Sequence, residues 1–352
     1  MSLTVLSVSY TLAQVAANTA GGAEQVLATL DAALVRVGHR SLVLAPAGSR
    51  CQGLLVPVSV PGNILTEAAK QEARRAFRAS LNRVLDTYPV DVVHMHGLDF
   101  NEYLPDRDIP IVVTLHLPLS WYAPDALQFS RSVRLVCVSD SQAASVPRGV
   151  EIAKTISNGI DLEQFRAARK KSDYALVISR ICPEKGVHLA IEAAGQAGMD
   201  LIIAGSVFEY PEHRRYFDSM IKPRLNNRIR FIGSVGGDRK ADLLAGARCL
   251  LIPSLAPETS SLVAMEAMAS GTPVIAFRNG ALPEIVSDRR TGFLVSDVEE
   301  MAQAISDVNS ISPLVCRAEA ERKFSSLTTI RRYFELYESI ANRDRILDLV
   351  AA

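Results

Sequence analysis

The sequence predicts an α/β protein made of two Rossmann-like, doubly wound domains, and three observations carry that prediction. Short apolar runs bounded by turn residues alternate with longer amphipathic stretches, as expected when parallel strands are buried on both faces by crossover helices. The pattern restarts past the middle of the chain, so the same architecture is expected twice. With 352 residues, 48% of them hydrophobic, the chain is too long for one ordinary core and can bury two.

In the first half the expected strands are Leu3 to Val8, Ser41 to Ala45, Asp91 to His94, Ile111 to Leu115 and Arg134 to Val138. In the second half they are Tyr174 to Ile178, Leu201 to Ala204, Arg228 to Ile232, Cys249 to Pro253 and Pro273 to Phe277. The turn-rich Ser157-Asn158-Gly159-Ile160-Asp161 and the charged Arg166 to Lys171 lie between them, which places the domain boundary near residue 165. The first domain then spans 1–165 and the second 166–327, with a C-terminal helix of about 328–352 packing back onto the first.

Charge and cysteines narrow the function. Lys+Arg and Asp+Glu both total 38, so no long-range field draws the protein to nucleic acid. Five widely spread cysteines without a CxxC pair argue against a disulfide framework or a zinc site and for a reducing compartment. The apolar run from Leu3 lacks a preceding basic region and is too short for a signal peptide or a membrane span. A soluble cytoplasmic protein is expected.

After the first strand the chain reaches Gly21-Gly22-Ala23-Glu24, from which an amphipathic helix continues to Val37 and stops at Gly38. Glycines at a helix start let a phosphate approach backbone N–H groups at the positive end of the helix dipole, although a plain loop pair reads the same way. Arg180 and Lys185 flank the carboxyl end of the first strand of the second half. In a doubly wound sheet ligands bind at that end, and two cations there suit a diphosphate; a solvated surface pair is the alternative.

The most informative stretch runs from Pro257 to Ile275, where Glu258 and Glu266 are separated by seven residues. Glu258 precedes a helix start, at which Ser260 and Ser261 are cap candidates. Glu266 falls inside that helix among Val263, Met265, Ala267 and Met268, an apolar setting that a carboxylate enters only with a partner. Otherwise Glu258 is a dipole-complementing acid and Glu266 a surface residue.

This stretch resembles the E-x7-E motif of the GT-B retaining glycosyltransferases, specifically glycosyltransferase family 4. The resemblance extends to the glycine pair, Asn158-Gly159-Ile160-Asp161, Arg180 with Lys185, Phe231-Ile232-Gly233 and the helix closing at Gly271. The chain departs from the pattern at Thr259-Ser260-Ser261, where many members carry Pro-Phe-Gly. The resemblance implies that Glu258 grips donor sugar hydroxyls, Glu266 accepts ribose hydroxyls, and Arg180 with Lys185 clamps the diphosphate in place of a metal ion or any other cofactor. It further implies phosphate or sugar contacts from the N–H groups of Ser260, Ser261 and Leu262, a base contact from the backbone of Val235, and a catalytic His116 facing the donor sugar.

His94 and His96 share one strand face, but no third metal ligand is apparent in the sequence, and His96 is better placed on the acceptor side with Trp121 and Tyr122. Those aromatics suit core positions equally well. The basic amphipathic segment Thr66 to Leu85 fits membrane docking less well than a solvated face packed on one stripe. The expected activity is therefore retaining, metal-independent transfer of a hexose or N-acetylhexosamine from a nucleotide diphosphate, UDP first, to an unidentified saccharide, lipid-linked or small-molecule hydroxyl. A nucleotide-sugar epimerase, a phosphorylase and a non-catalytic two-lobed binding protein are the rivals.

Overall fold

The computed structural model describes residues 2–351 except 20, 61–65, 129–131 and 169, and only the backbone of 343–351. The chain divides into two compact units, Met1–Ser157 with Leu327–Ala352, and Asn158–Ser326.

In the first unit a parallel sheet is built from β1 (Thr4–Val8), β2 (Arg40–Pro46), β3 (Leu54–Val58), β4 (Val92–Met95), β5 (Ile111–Leu115), β6 (Val133–Cys137) and β7 (Ile152–Thr155), in the order β3-β2-β1-β4-β5-β6-β7. The central strands are buried along their whole length, as both-face coverage requires. Helix Gly22–Arg36 buries Val26, Leu27, Leu30, Ala33 and Leu34 at helical spacing and ends where Gly38 takes φ +84°.

Helix Glu67–Thr87 starts where the Thr66 side chain accepts from the Ala69 N–H. It buries the stripe Ala73, Phe77, Leu81, Val84 and Leu85. Its basic residues are largely engaged within the unit: Lys70 pairs with Glu67, Arg74 with Asp99 and Arg78 with Asp106. Among the described residues no helix is long and apolar enough to cross a membrane.

The second unit repeats the design with β8 (Tyr174–Ile178), β9 (Asp200–Ala204), β10 (Ile229–Phe231), β11 (Cys249–Ile252), β12 (Val274–Phe277) and β13 (Gly292–Val295), ordered β10-β9-β8-β11-β12-β13 and parallel throughout. The unit begins earlier than the boundary expected near 165. Ile160 and Phe165 are buried in its core, Ile160 exchanges backbone hydrogen bonds with Phe324 and Ser326 at 2.8 and 2.9 Å, and Arg317 donates to the carbonyls of Leu162 and Phe165.

Each sheet reverses strand order once, between β1 and β4 and between β8 and β11. At such a switch point neighbouring loops leave the carboxyl edge in opposite directions and open a crevice.

Candidate active site

In the second unit the loops on either side of the reversal carry the expected charges. The loop after β8 runs through Arg180 to Lys185 and turns at Gly186, which has φ +60° and lies so close to the Pro253 carbonyl that a Cβ would sit 2.2 Å from its oxygen. Only glycine fits there. The neighbouring loop after β11 docks on the first through Leu255, whose N–H donates to the Glu184 carbonyl at 2.8 Å. This brings Lys185 Nζ to 2.5 Å from Glu258 Oε1, which also accepts from the Ser254 hydroxyl. Among the described residues Arg180 has no ion-pair partner, and its charge acts on Cys182, Glu184 and His213.

Glu258 is held from a third loop, the one after β12. Ala281 donates its N–H to the Glu258 carbonyl at 2.7 Å, and Gly280, at φ +58°, passes so close that a Cβ would lie 2.2 Å from that oxygen. Asn279 Nδ2 donates to the carbonyls of Ser254 and Leu255 at 3.2 and 3.0 Å. A loop gripped this way presents its carboxylate without having to order it on binding.

Glu266 lies in helix Leu262–Ala269 and is buried. Its partner is Lys240, on helix Gly237–Gly246, with Nζ 2.6 Å from Oε1 and side-chain exposures of 15% and 4%. Burial raises the Glu266 pKa against the lowering effect of Lys240. Its other oxygen, Oε2, is buried and has no hydrogen-bond partner among the described residues, an acceptor suited to a ligand hydroxyl. Ser261 is the N-cap of this helix but its side chain caps nothing, and the Ser260 hydroxyl is buried without a partner. The first N–H groups of the helix, from Leu262 on, are thus not claimed by a cap side chain. Val235 sits partly buried in the loop that leads from β10 into helix Gly237–Gly246.

His94, His96 and His116 gather at the carboxyl ends of β4 and β5. His94, on β4, is buried with Nδ1 2.7 Å from the Tyr337 hydroxyl and Nε2 2.7 Å from Thr114 Oγ1, which in turn meets the Tyr333 hydroxyl at 2.8 Å. Both of its nitrogens are committed, so it is no metal ligand. His96 follows β4, with Nδ1 3.0 Å from His116 Nε2 and the two rings stacked at 5.2 Å. Desolvation holds His94 and His96 well below the usual histidine pKa and pushes His116 down to about 3. The pair is neutral at physiological pH, and His96 Nε2 is a buried atom without a partner.

Two family descriptions match the chain in tandem: "Glycosyltransferase Family 4" over residues 20–164 and "Glycosyl transferases group 1" over 172–310. The chain belongs to the family 4 glycosyltransferases. It is 28% identical over 240 residues to the D-inositol 3-phosphate glycosyltransferase of Saccharomonospora viridis, covering 58% of this chain and 55% of that one. It is 24% identical over 364 residues to the phosphatidyl-myo-inositol mannosyltransferase of Mycobacterium leprae, covering 91% and 94%. The chain spans about half the length of the first curated relatives it matches. Among solved structures the Anabaena HepE protein in complex with UDP and glucose superposes with TM-score 0.74 at 21% identity, covering 95% of this chain and 99% of that one. The fold is of the GT-B type.

The structure places the expected residues in two groups. Arg180, Lys185, Glu258, Ser260, Ser261, Leu262, Glu266 and Val235 lie on loops or helix starts at the carboxyl edge of the second sheet, and His96 and His116 at that of the first. Gly21 and Gly22 open helix Gly22–Arg36 as expected, but the anion held there is the chain's own: the Glu24 carboxylate folds over Gly21, and a Cβ there would meet its Oε2 at 1.8 Å. Tyr122 is corrected. It is buried in the first core against Phe100, and its hydroxyl accepts from the Leu117 N–H at 3.4 Å, so it props the loop after His116 and presents no open face. Trp121 beside it is 39% exposed.

Lys240, Ser254, Asn279 and Gly280 were not expected from the sequence. Lys240 did leave a signal. It shares a face with Leu244, the buried residue of an otherwise polar helix, and a lysine on a buried stripe implies a buried acid.

Proposed function

We propose that the enzyme transfers a hexose or N-acetylhexosamine from a nucleotide diphosphate, UDP first, to an acceptor hydroxyl with retention of configuration and without a metal ion. The observation that carries this reading is the Lys185–Glu258 contact at the strand-order reversal, with Arg180 on the same loop as Lys185. A diphosphate entering there would exchange with Glu258 for the Lys185 ammonium and take the planar fork of Arg180, and the freed Glu258 carboxylate would turn to sugar hydroxyls. Glu266 Oε2 would accept from the ribose. The bond from the anomeric carbon to the diphosphate oxygen would break, and the charge left on that oxygen would be stabilised by the two cations and the uncapped start of helix Leu262–Ala269.

No side chain in this set stands as a nucleophile, so the acceptor would attack from the face the phosphate leaves, giving its proton to that phosphate. The neutral His96–His116 pair would meet an uncharged, hydroxyl-bearing ligand at the first unit without a counter-ion. The HepE neighbour solved with UDP and glucose supports the choice of UDP, and the inositol-acting relatives support a polyol or lipid-linked acceptor.

The test is incubation with radiolabelled UDP-glucose and UDP-N-acetylglucosamine, with and without an acceptor series that includes inositol phosphates. Acceptor-dependent release of UDP together with a labelled glycoside of retained anomeric configuration is expected. Epimerised donor without transfer, or binding without any UDP release, would sink the reading.

A further inference from the structure

A side-chain cluster separate from the proposed transfer chemistry lies on the loop that bears Arg180 and Lys185. Cys182 and Glu184 come from this loop, and His213 reaches it from helix Pro211–Tyr216. One ligand atom from each, the cysteine sulfur, a carboxylate oxygen and a ring nitrogen, lies within 4.8 Å of the other two. We propose that Cys182, Glu184 and His213 form a binding site for a borderline-soft divalent cation of the zinc type.

Several features favour this set. Cys182 and His213 are buried, with His213 at 8% exposure, and among the described residues His213 Nδ1 has no hydrogen-bond partner. A buried polar atom without a partner needs an explanation. The imidazole is packed between Phe208, stacked at 6.3 Å, and Tyr210, edge-on at 5.0 Å, so its direction is set by packing. Sulfur, nitrogen and carboxylate oxygen together suit zinc, whereas a hard cation such as magnesium would prefer oxygen alone.

On loading, the Cys182 thiol gives its proton to solvent as the metal–sulfur bond forms, and the carboxylate and the neutral imidazole bind through lone pairs. Dipositive metal, thiolate and carboxylate sum to zero, so Arg180 nearby faces no uncompensated metal charge. Three protein ligands leave a fourth position for water. The cluster escapes a search for paired cysteines because one thiol and one imidazole lie far apart in sequence and meet only through the fold.

The full-length protein, reduced and stripped with chelator, should bind one zinc ion per chain in a calorimetric titration with zinc sulfate. Cobalt(II) in its place should give a sulfur-to-metal charge-transfer absorption. Cys182→Ser should abolish that absorption and weaken zinc binding by at least about tenfold, His213→Gln should weaken it by as much, and Cys51→Ser, which alters a partly exposed thiol elsewhere, should change neither. Wild-type zinc affinity in both Cys182→Ser and His213→Gln would overturn the proposal, as would a cobalt spectrum without the sulfur band or one that Cys51→Ser abolishes. None of these readouts uses transfer, so their outcome is separate from that of the proposed function.

Discussion

The two sheets share a parallel, once-reversed topology and finish in opposite chemistry. The carboxyl edge of the second unit carries two lysine–glutamate pairs, Lys185–Glu258 and Lys240–Glu266. That of the first carries three histidines that desolvation keeps unprotonated, His94 anchored by the hydroxyls of Thr114 and Tyr337 and His96 bonded to His116. A partly buried ion pair can exchange one partner for a ligand anion, since the cation is already desolvated and its counter-charge is replaced in kind. A neutral hydrogen-bonded stack cannot answer a charge, but it can hold a hydroxyl-bearing ligand without taking an ion out of water. One topology thus supports an edge suited to a charged leaving group and an edge suited to neutral sugars.

The contrast breaks most visibly at Lys185. Lys185→Ala removes the cation nearest the developing charge, and kcat/KM for UDP release should fall by roughly 100- to 1,000-fold, with Arg180→Ala failing in the same direction. Wild-type kinetics in both variants would move the clamp elsewhere. The two glutamates should then separate. Glu266→Gln should weaken binding of free UDP by about tenfold, because the ribose contact is made in ground and transition states alike, whereas Glu258→Gln should lower kcat and leave UDP affinity nearly unchanged. Calorimetric titration with UDP beside steady-state kinetics checks the split, and a reversed result would exchange the two roles.

A smaller effect sharpens the neutral side. The unfolded His116 takes a proton near pH 6.5, while the folded ring refuses it until about 3. Its contribution to stability is therefore complete above 6.5 and is lost as pH falls toward 3, by at most about 1.4 kcal/mol per pH unit. Urea unfolding at a series of pH values should show this decline, and His116→Asn should lessen it while His94 and His96 still contribute; a slope that His116→Asn leaves unchanged would mean that the ring is freely protonated. The smallest effect expected is none: with saturating donor, turnover in excess EDTA should stay within about twofold of the untreated rate, because the fixed cations serve the diphosphate. Loss of turnover restored by magnesium would end the metal-free reading.

Strands buried on both faces were legible in the sequence because their residues are continuously apolar; Tyr174–Ile178 and Ile111–Leu115 fall where expected. The strands not foreseen, β3, β7 and β13, are all sheet edges. An edge strand needs burial on fewer sides, so Pro57 and Lys154 are tolerated there and dilute the apolar signal, while Gly292 is required where a Cβ would lie 1.8 Å from the Val274 carbonyl oxygen. The same logic divides the site. Glu258 and Glu266 stood out because a fixed spacing joins them within one segment, whereas Lys240, Ser254 and Asn279 reach them from other segments through the fold. Tyr122 was ambiguous because an aromatic beside a strand end has the same local pattern whether it faces solvent or core.

The first unit is discontinuous in the chain, and that has a bearing on its birth. Tyr333 and Tyr337, which close over Thr114 and His94, are translated after every residue of the second unit. As the polypeptide leaves the ribosome, Asn158–Ser326 has all of its own sequence in hand while Met1–Ser157 still waits for its last helix. During that interval the hydroxyl-lined side of β4 and β5 is uncovered, and a nascent chain in this state offers chaperones a half-finished sheet rather than an unfolded coil.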